Sequence, residues 1–156
     1  MKPKQGSTIF LRSAIFLLGI IIIALYVLLT NRVIVYPIGN LLYPVVIAVY
    51  ATGIPFFIAL YQALKLLSYI DENKAFSKLS VNALKNIKYC AITISILYIA
   101  IMPFLYLIAD KEDAPGIIII GAVFVFAPSV IATFAALLQK LLQKAIDIKS
   151  DNDLTI

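Results

Sequence analysis

The side chains able to do chemistry are few, and the missing types decide more than those present. The chain has no histidine and a single cysteine, Cys90, so neither a Cys/His metal site nor a Cys–His nucleophile pair can be assembled. Its six glycines, Gly6, Gly19, Gly39, Gly53, Gly116 and Gly121, are scattered and build no phosphate-cradling loop. Cys90 has no partner for an intramolecular disulfide and reads as a small apolar residue. No nucleophile, base and metal converge, so the expectation is a protein that is not an enzyme and needs no cofactor.

The elements that position these residues follow from composition. Of 156 residues, 63% are hydrophobic and 13% charged, against roughly 45–50% and 25% in a soluble domain. The apolar residues come in long blocks parted by charge clusters, not in the period-two alternation of barrel strands. Four blocks are long enough to cross a hydrocarbon core of about 30 Å, which takes roughly 20 helical residues. The predicted fold is all-α and polytopic, a single domain over 1–156 with spans at 9–30, 41–67, 87–109 and 116–139. At the first span Lys2, Lys4 and Arg12 precede a run of Leu and Ile that is too long for a signal peptide, so the span is read as retained.

Lysine and arginine placement sets the expected orientation. Lys2, Lys4 and Arg12 lie at the N-terminus. Lys65, Lys74, Lys78, Lys85 and Lys88 lie in or beside the loop 68–86, and Lys140, Lys144 and Lys149 in the tail 140–156. These are eleven of the thirteen basic residues; only Arg32 and Lys111 fall in the other two connections. Both termini and the middle loop are therefore expected in the cytoplasm, with small outer connections "NRVIVYPIGN" and "DKEDAPG". The net charge of +5 is explained by this arrangement and does not call for nucleic-acid binding. It favours anionic lipid head groups, with Lys78, Lys85, Lys88, Lys140 and Lys144 as the expected contacts.

No ionisable residue falls in the middle of a predicted span, where it would cost several kcal/mol and mark an ion path. Gln62 is the most polar deep side chain and is expected to hydrogen-bond a neighbouring helix. Pro44, Pro55, Pro103 and Pro128 each free the carbonyl four residues earlier. Such carbonyls can hold ions in broken helices, but a kink is the simpler expectation. Ala48, Thr52, Pro55, Ala59 and Ala63 share one face of the second span, and Ala122, Ser129, Thr133 and Ala136 one face of the fourth. Both are packing faces, expected to close within the chain, a second copy being the other candidate.

The basic face is better organised. Ser77 is placed to cap a helix running into the third span, with Phe76 stapling its start. Leu79, Ala83, Leu84 and Ile87 would face the membrane, and Lys78, Asn82, Lys85 and Lys88 water. In the tail, Leu137, Leu138, Leu141, Leu142 and Ala145 continue an apolar stripe opposite Lys140, Gln143, Lys144 and Asp147, forming a short amphipathic helix. The chain then closes on Asp151, Asn152, Asp153, Leu154, Thr155 and Ile156. Two aliphatics at such an end suggest docking, as a short strand or an anchored terminus that folds back on the middle loop.

"DENKAFSKLSVNALKNIKYCAI" and "DNDLTI" resemble two signatures of a family of small bacterial four-helix membrane proteins of unknown function. The first resembles its Pro-Phe-Ser-like loop, with Ala75 where Pro is usual. The second resembles its Glu-x-Asp-Leu-Thr-Val-like terminus, with Asn152 where Glu or Gln is common. Genes of that family often neighbour one for a Cro/CI-type helix-turn-helix regulator. The resemblance therefore implies a membrane anchor whose inner face binds a cytoplasmic regulator through Phe76, Ser77, Asp151, Asp153, Leu154, Thr155 and Ile156. The competing expectation is a small channel, a transporter subunit or an immunity-type protein.

Overall fold

The computed structural model describes residues 5–35, 39–40 and 42–155. They form four helices: α1 (Gln5–Val35), α2 (Leu42–Asp71), α3 (Lys78–Lys111) and α4 (Gly116–Thr155). All four are long and apolar enough to cross a membrane. At 1.5 Å per residue, the 31 and 30 residues of α1 and α2 reach about 45 Å, and the 34 and 40 residues of α3 and α4 about 50 and 60 Å. Each therefore exceeds a hydrocarbon core of about 30 Å, and α4 does so by the most.

The helices are longer than the predicted spans because polar ends continue the helical hydrogen bonding. α1 runs on through Asn31 and Arg32 to Val35, taking half of the expected outer connection. Tyr36, Pro37 and Ile38 of that connection lie outside the described residues. The helix expected to start after Ser77 is continuous with the third span, and the tail helix with the fourth.

Two of the helices stop by the same device. At the end of α2, Asn73 takes a left-handed conformation (φ 61°), and the amides of Asn73 and Lys74 return to the carbonyls of Ile70 and Tyr69 at 3.2 and 2.6 Å. At the end of α3, Asp113 (φ 51°) does the same, with amides of Asp113 and Ala114 on the carbonyls of Asp110 and Ala109. Both are Schellman ends, built on Asn and Asp, the side chains that best tolerate this region after glycine.

Consecutive helices run antiparallel. Arg12 near the start of α1 bonds Ser68 and Asp71 at the end of α2. Ser95 of α3 meets Ser129 of α4 at 2.7 Å, and Thr52 of α2 meets Tyr98 of α3 at 3.1 Å. Hence the described chain ends and the α2–α3 connection emerge together, at what we call the basic end. Packing is sequential: among the described residues α2 packs on α1 and α3, and α4 on α3 alone. The core lies along α3, whose Val81, Ala83, Leu84, Ala91, Ser95, Ile101, Ile108 and Ala109 are buried.

Helix packing bears on three expectations. In α2, Ala48 and Thr52 are buried as expected, and Gly53 is buried because a Cβ there would sit 2.9 Å from the Tyr26 hydroxyl. In α4 the packed face is Gly121, Ala132 and Ala135, with Ser129 half-buried beside them. Thr133 is exposed and Ala122 only half-buried, so the stripe lies one position away from the one expected. Pro44 is the third residue of α2, where its amide would have no intrahelical partner, so it removes no bond and suits a helix start. Pro55, Pro103 and Pro128 lie inside helices that continue through them.

Candidate functional site

At the basic end, five polar side chains and one backbone carbonyl fix the frame. The Arg12 guanidinium donates to the Ser68 hydroxyl at 2.9 Å and to Asp71 Oδ2 at 3.2 Å. Asp71 is the last residue of α2 and Ser68 lies three before it, so this pair ties the first helix to the start of the loop. The Lys74 carbonyl, just past the turn at Asn73, accepts the hydroxyls of both Ser77 and Ser80, the latter at 3.2 Å. Ser80 is fully buried. A buried hydroxyl left unpaired would cost about 1–3 kcal/mol; here it locks the loop onto the first turn of α3. Ser77 holds the expected N-cap position in extended backbone, but its side chain makes no cap bond, being engaged with Lys74 instead.

On this frame sit the residues singled out from the sequence. Phe76 is 59% exposed, so it is not buried as a staple on α3. Leu79 is exposed too, and the inward positions of that first turn belong to Ser80 and Val81. In the tail, α4 continues as one helix to Thr155, so the described part of the tail forms no strand. Asp151 and Asp153 are exposed and Leu154 is 82% exposed. The tail therefore does not fold back and bury itself on the loop; a helix that keeps its i to i−4 bonds has no free backbone to dock as a strand. Thr155 ends the helix, and Ile156 lies outside the described residues.

The register set by Ser95 and Ser129 puts Lys78, the first residue of α3, level with about residue 146 of α4. α4 thus overruns α3 by about nine residues, or some 13 Å. Along this overhang and just below it, Leu141 and Ile148 are exposed, one heptad apart and on one helix face. Gln143 donates to Asp147 across one turn on another face, at 3.0 Å. Lys74 and Glu72 pair at 3.5 Å on the exposed side of the loop. Lys78, Lys85, Lys140 and Lys144 are exposed and Lys88 half-buried. The basic end thus combines a fixed loop, a projecting helix, lysines and uncovered Phe, Leu and Ile.

Deeper in the bundle a second polar cluster was not foreseen. Tyr26 donates to the Val49 carbonyl at 2.9 Å. Thr52 donates to the same carbonyl at 2.8 Å and meets the Tyr98 hydroxyl at 3.1 Å. Tyr26 stacks on Tyr50 at 5.7 Å and Tyr98 lies against Phe124 at 5.3 Å. The layer crosses all four helices and divides an apolar slot into two cavities of about 410 and 380 Å³, each lined by Ile22, Tyr26, Tyr98 and Phe124. The Tyr26 and Thr52 hydroxyls are spent inside the protein, so the layer reads as packing.

Gln62, expected to bridge helices, makes no hydrogen bond among the described residues and is half-buried. Tyrosine, threonine and serine do that work instead. The signal available in the sequence was the placement of Tyr26 and Tyr98 deep in apolar runs, where an aromatic hydroxyl needs a partner. Arg12 was legible only as one of the basic residues near the N-terminus; its place two turns inside an apolar helix was the hint that it is paired.

Comparison with known proteins agrees with this architecture. The chain is 62% identical over 159 residues to the "Uncharacterized membrane protein YoaS" of Bacillus subtilis (strain 168), covering 98% of this chain and 99% of that one. No solved structure matches the chain. The family described as "Protein of unknown function (DUF2975)" matches residues 33–156, which take in α2, α3, α4 and the last three residues of α1. By that match and that relative, this four-helix membrane protein belongs to the DUF2975 family.

Proposed function

We propose that the protein is a non-enzymatic membrane anchor whose basic end faces the bacterial cytoplasm and holds a small cytoplasmic regulator there. The observation that carries this reading is the uncovered apolar set Phe76, Leu141, Ile148 and Leu154, on a loop fixed by hydrogen bonds and on the last four turns of α4. Exposed apolar residues rimmed by charge are typical of docking surfaces. Asp151 and Asp153 add carboxylates suited to the basic surface of a DNA-binding protein, the partner class implied by the family resemblance. Phe76, Ser77, Asp151, Asp153, Leu154, Thr155 and Ile156 make the contact, while Lys78, Lys85, Lys88, Lys140 and Lys144 attract anionic head groups.

A role in passage of a solute receives less support. The central slot is apolar and its Tyr26 and Thr52 hydroxyls are already bonded to protein, which leaves an ion poorly provided with ligands.

The test is crosslinking in native membranes, followed by co-purification, of the full chain and of a version ending at Lys149. The shorter version keeps the α3–α4 seam and so retains the bundle. A small helix-turn-helix protein is expected with the full chain, lost on truncation and lost when Asp151 and Asp153 are both replaced by Lys. Equal capture by all three, at equal abundance, would remove the tail from the site. Labelling of an Asp153→Cys variant in intact cells and in inverted vesicles reads the orientation; labelling in intact cells by an impermeant reagent would reverse it.

A further inference from the structure

On the outer side of the α3–α4 seam lies a groove of about 330 Å³, lined by Lys88, Ser95, Ser129, Ala132, Thr133 and Ala136 among others. Beside Ile92 and Ile96 its lining is of small residues, which let a neighbouring chain come close to the backbone. The hydroxyls along it are consumed. Ser129 and Ser95 lie 2.7 Å apart and both reach the Val125 carbonyl at 2.9 Å. Thr133 donates to the Ser129 carbonyl at 2.9 Å. What remains for a ligand along the floor is carbon surface.

The mouth differs. Lys88 closes the groove at the basic end, its Nζ 4.7 Å from the centroid of the Tyr89 ring. Lys85 lies three residues before Lys88, and Lys140 four residues after Ala136, so both share the faces that bound the groove. Among the described residues none of these three lysines pairs with a carboxylate; the ion pairs there are Arg12 with Asp71 and Lys74 with Glu72. A groove with a bare hydrocarbon floor and three uncompensated ammonium groups at one end is complementary to an anion carrying a long apolar tail.

From this charge and shape we infer that the α3–α4 groove is a discrete site for one anionic phospholipid, its phosphate at Lys88, Lys85 and Lys140 and one acyl chain along Ala136, Thr133 and Ala132. The site rests on the general attraction of the basic end for anionic lipid and gives that attraction a location. It does not depend on partner capture.

The experiment uses the full-length protein in phosphatidylcholine vesicles containing a minority of spin-labelled phosphatidylglycerol or spin-labelled phosphatidylcholine, and reads the motionally restricted fraction of each. Wild type is expected to restrict phosphatidylglycerol several-fold over phosphatidylcholine. Lys88→Gln should lower that preference by about fivefold, the effect of one lysine at a membrane surface. Lys78→Gln, which removes the same charge away from the groove, should lower it far less. Thr133→Phe, at an exposed position that tolerates bulk, should abolish most of the restricted phosphatidylglycerol.

No preference in wild type would overturn both the basic-end attraction and the site. A preference lowered equally by Lys88→Gln and Lys78→Gln would overturn the site alone and leave diffuse attraction. So would a Thr133→Cys variant, made with Cys90→Ala, that crosslinks quantitatively to itself, since the groove would then hold a second copy of the chain.

Discussion

Between α3 and α4 the meeting residues are small: Gly121, Ala132, Ala135 and Ser95 are all buried, and a Cβ on Gly121 would stand 2.7 Å from Leu105 and 2.8 Å from Met102. α1 is attached in another way. Of its described side chains only Thr8 is buried, and among the described residues α1 packs on α2 alone, with polar ties at Arg12, Tyr26 and Thr30, the last to the Tyr50 hydroxyl. Lipid is as apolar as leucine, so large hydrophobic side chains gain little by meeting each other inside a membrane. Close backbone approach and hydrogen bonds are what remain. α3 and α4 use mainly the first and α1 mainly the second.

The largest break in this comparison should come from the close-packed seam. Ala135→Leu adds bulk at a position only 5% exposed, and overpacking costs about 1–3 kcal/mol. Titration of the protein in mixed micelles with dodecyl sulfate should show unfolding at a clearly lower fraction of denaturing detergent. An equally bulky change on α1, Ala24→Leu, should leave the midpoint nearly in place because that helix buries little. Equal effects at the two positions would mean that α1 packs as tightly as α4 in solution.

Arg12→Ala comes next. The guanidinium carries two hydrogen bonds, one to a carboxylate, at side chains 36% and 22% exposed for Arg12 and Asp71. Bonds to charged groups contribute about 1.5–3 kcal/mol when buried, and partial exposure reduces this to about 1–2. The sharper readout is local. Loss of the tie should let α1 separate before the rest, so protease added to micelles should cut after α1 in Arg12→Ala while α2 to α4 survive as one fragment. Uniform digestion of both proteins would make the bundle a single cooperative unit.

How far these features were visible in the sequence depends on the range of the interaction. The four helices follow from apolar runs near 20 residues, a local property, and so does the position of Ser77 before α3. The overhang of α4 was half visible: the amphipathic stripe past Leu137 was legible, but Asp151, Asn152 and Asp153 suggested an end to the helix that does not occur. A helix already nucleated for 30 residues adds each further residue at little cost, so polar composition alone does not stop it. Non-local ties were hardest. Arg12 and Asp71 are 59 residues apart, and nothing in either local pattern names the other. Gln62 misled because polarity along the sequence does not say which side chain meets a carbonyl across the seam.

The smallest effect, and the finest probe of how α1 is held, is Tyr26→Phe. It deletes one donor to the Val49 carbonyl, which still accepts from Thr52 at 2.8 Å, so no acceptor is stranded. Interhelical hydrogen bonds in membranes average about 0.6 kcal/mol by double-mutant cycles, and the loss should be of that size. Gly53 supplies the control. A methyl there would meet the Tyr26 hydroxyl at 2.9 Å and the ring carbons Cε2 and Cζ at 3.2 Å, so Gly53→Ala should push the ring away and cost more than Tyr26→Phe. In the Tyr26→Phe background the closest of those contacts is gone, and Gly53→Ala should cost measurably less than it does in wild type. Strict additivity of the two changes, read by the same detergent titration, would mean that ring and glycine are not in contact.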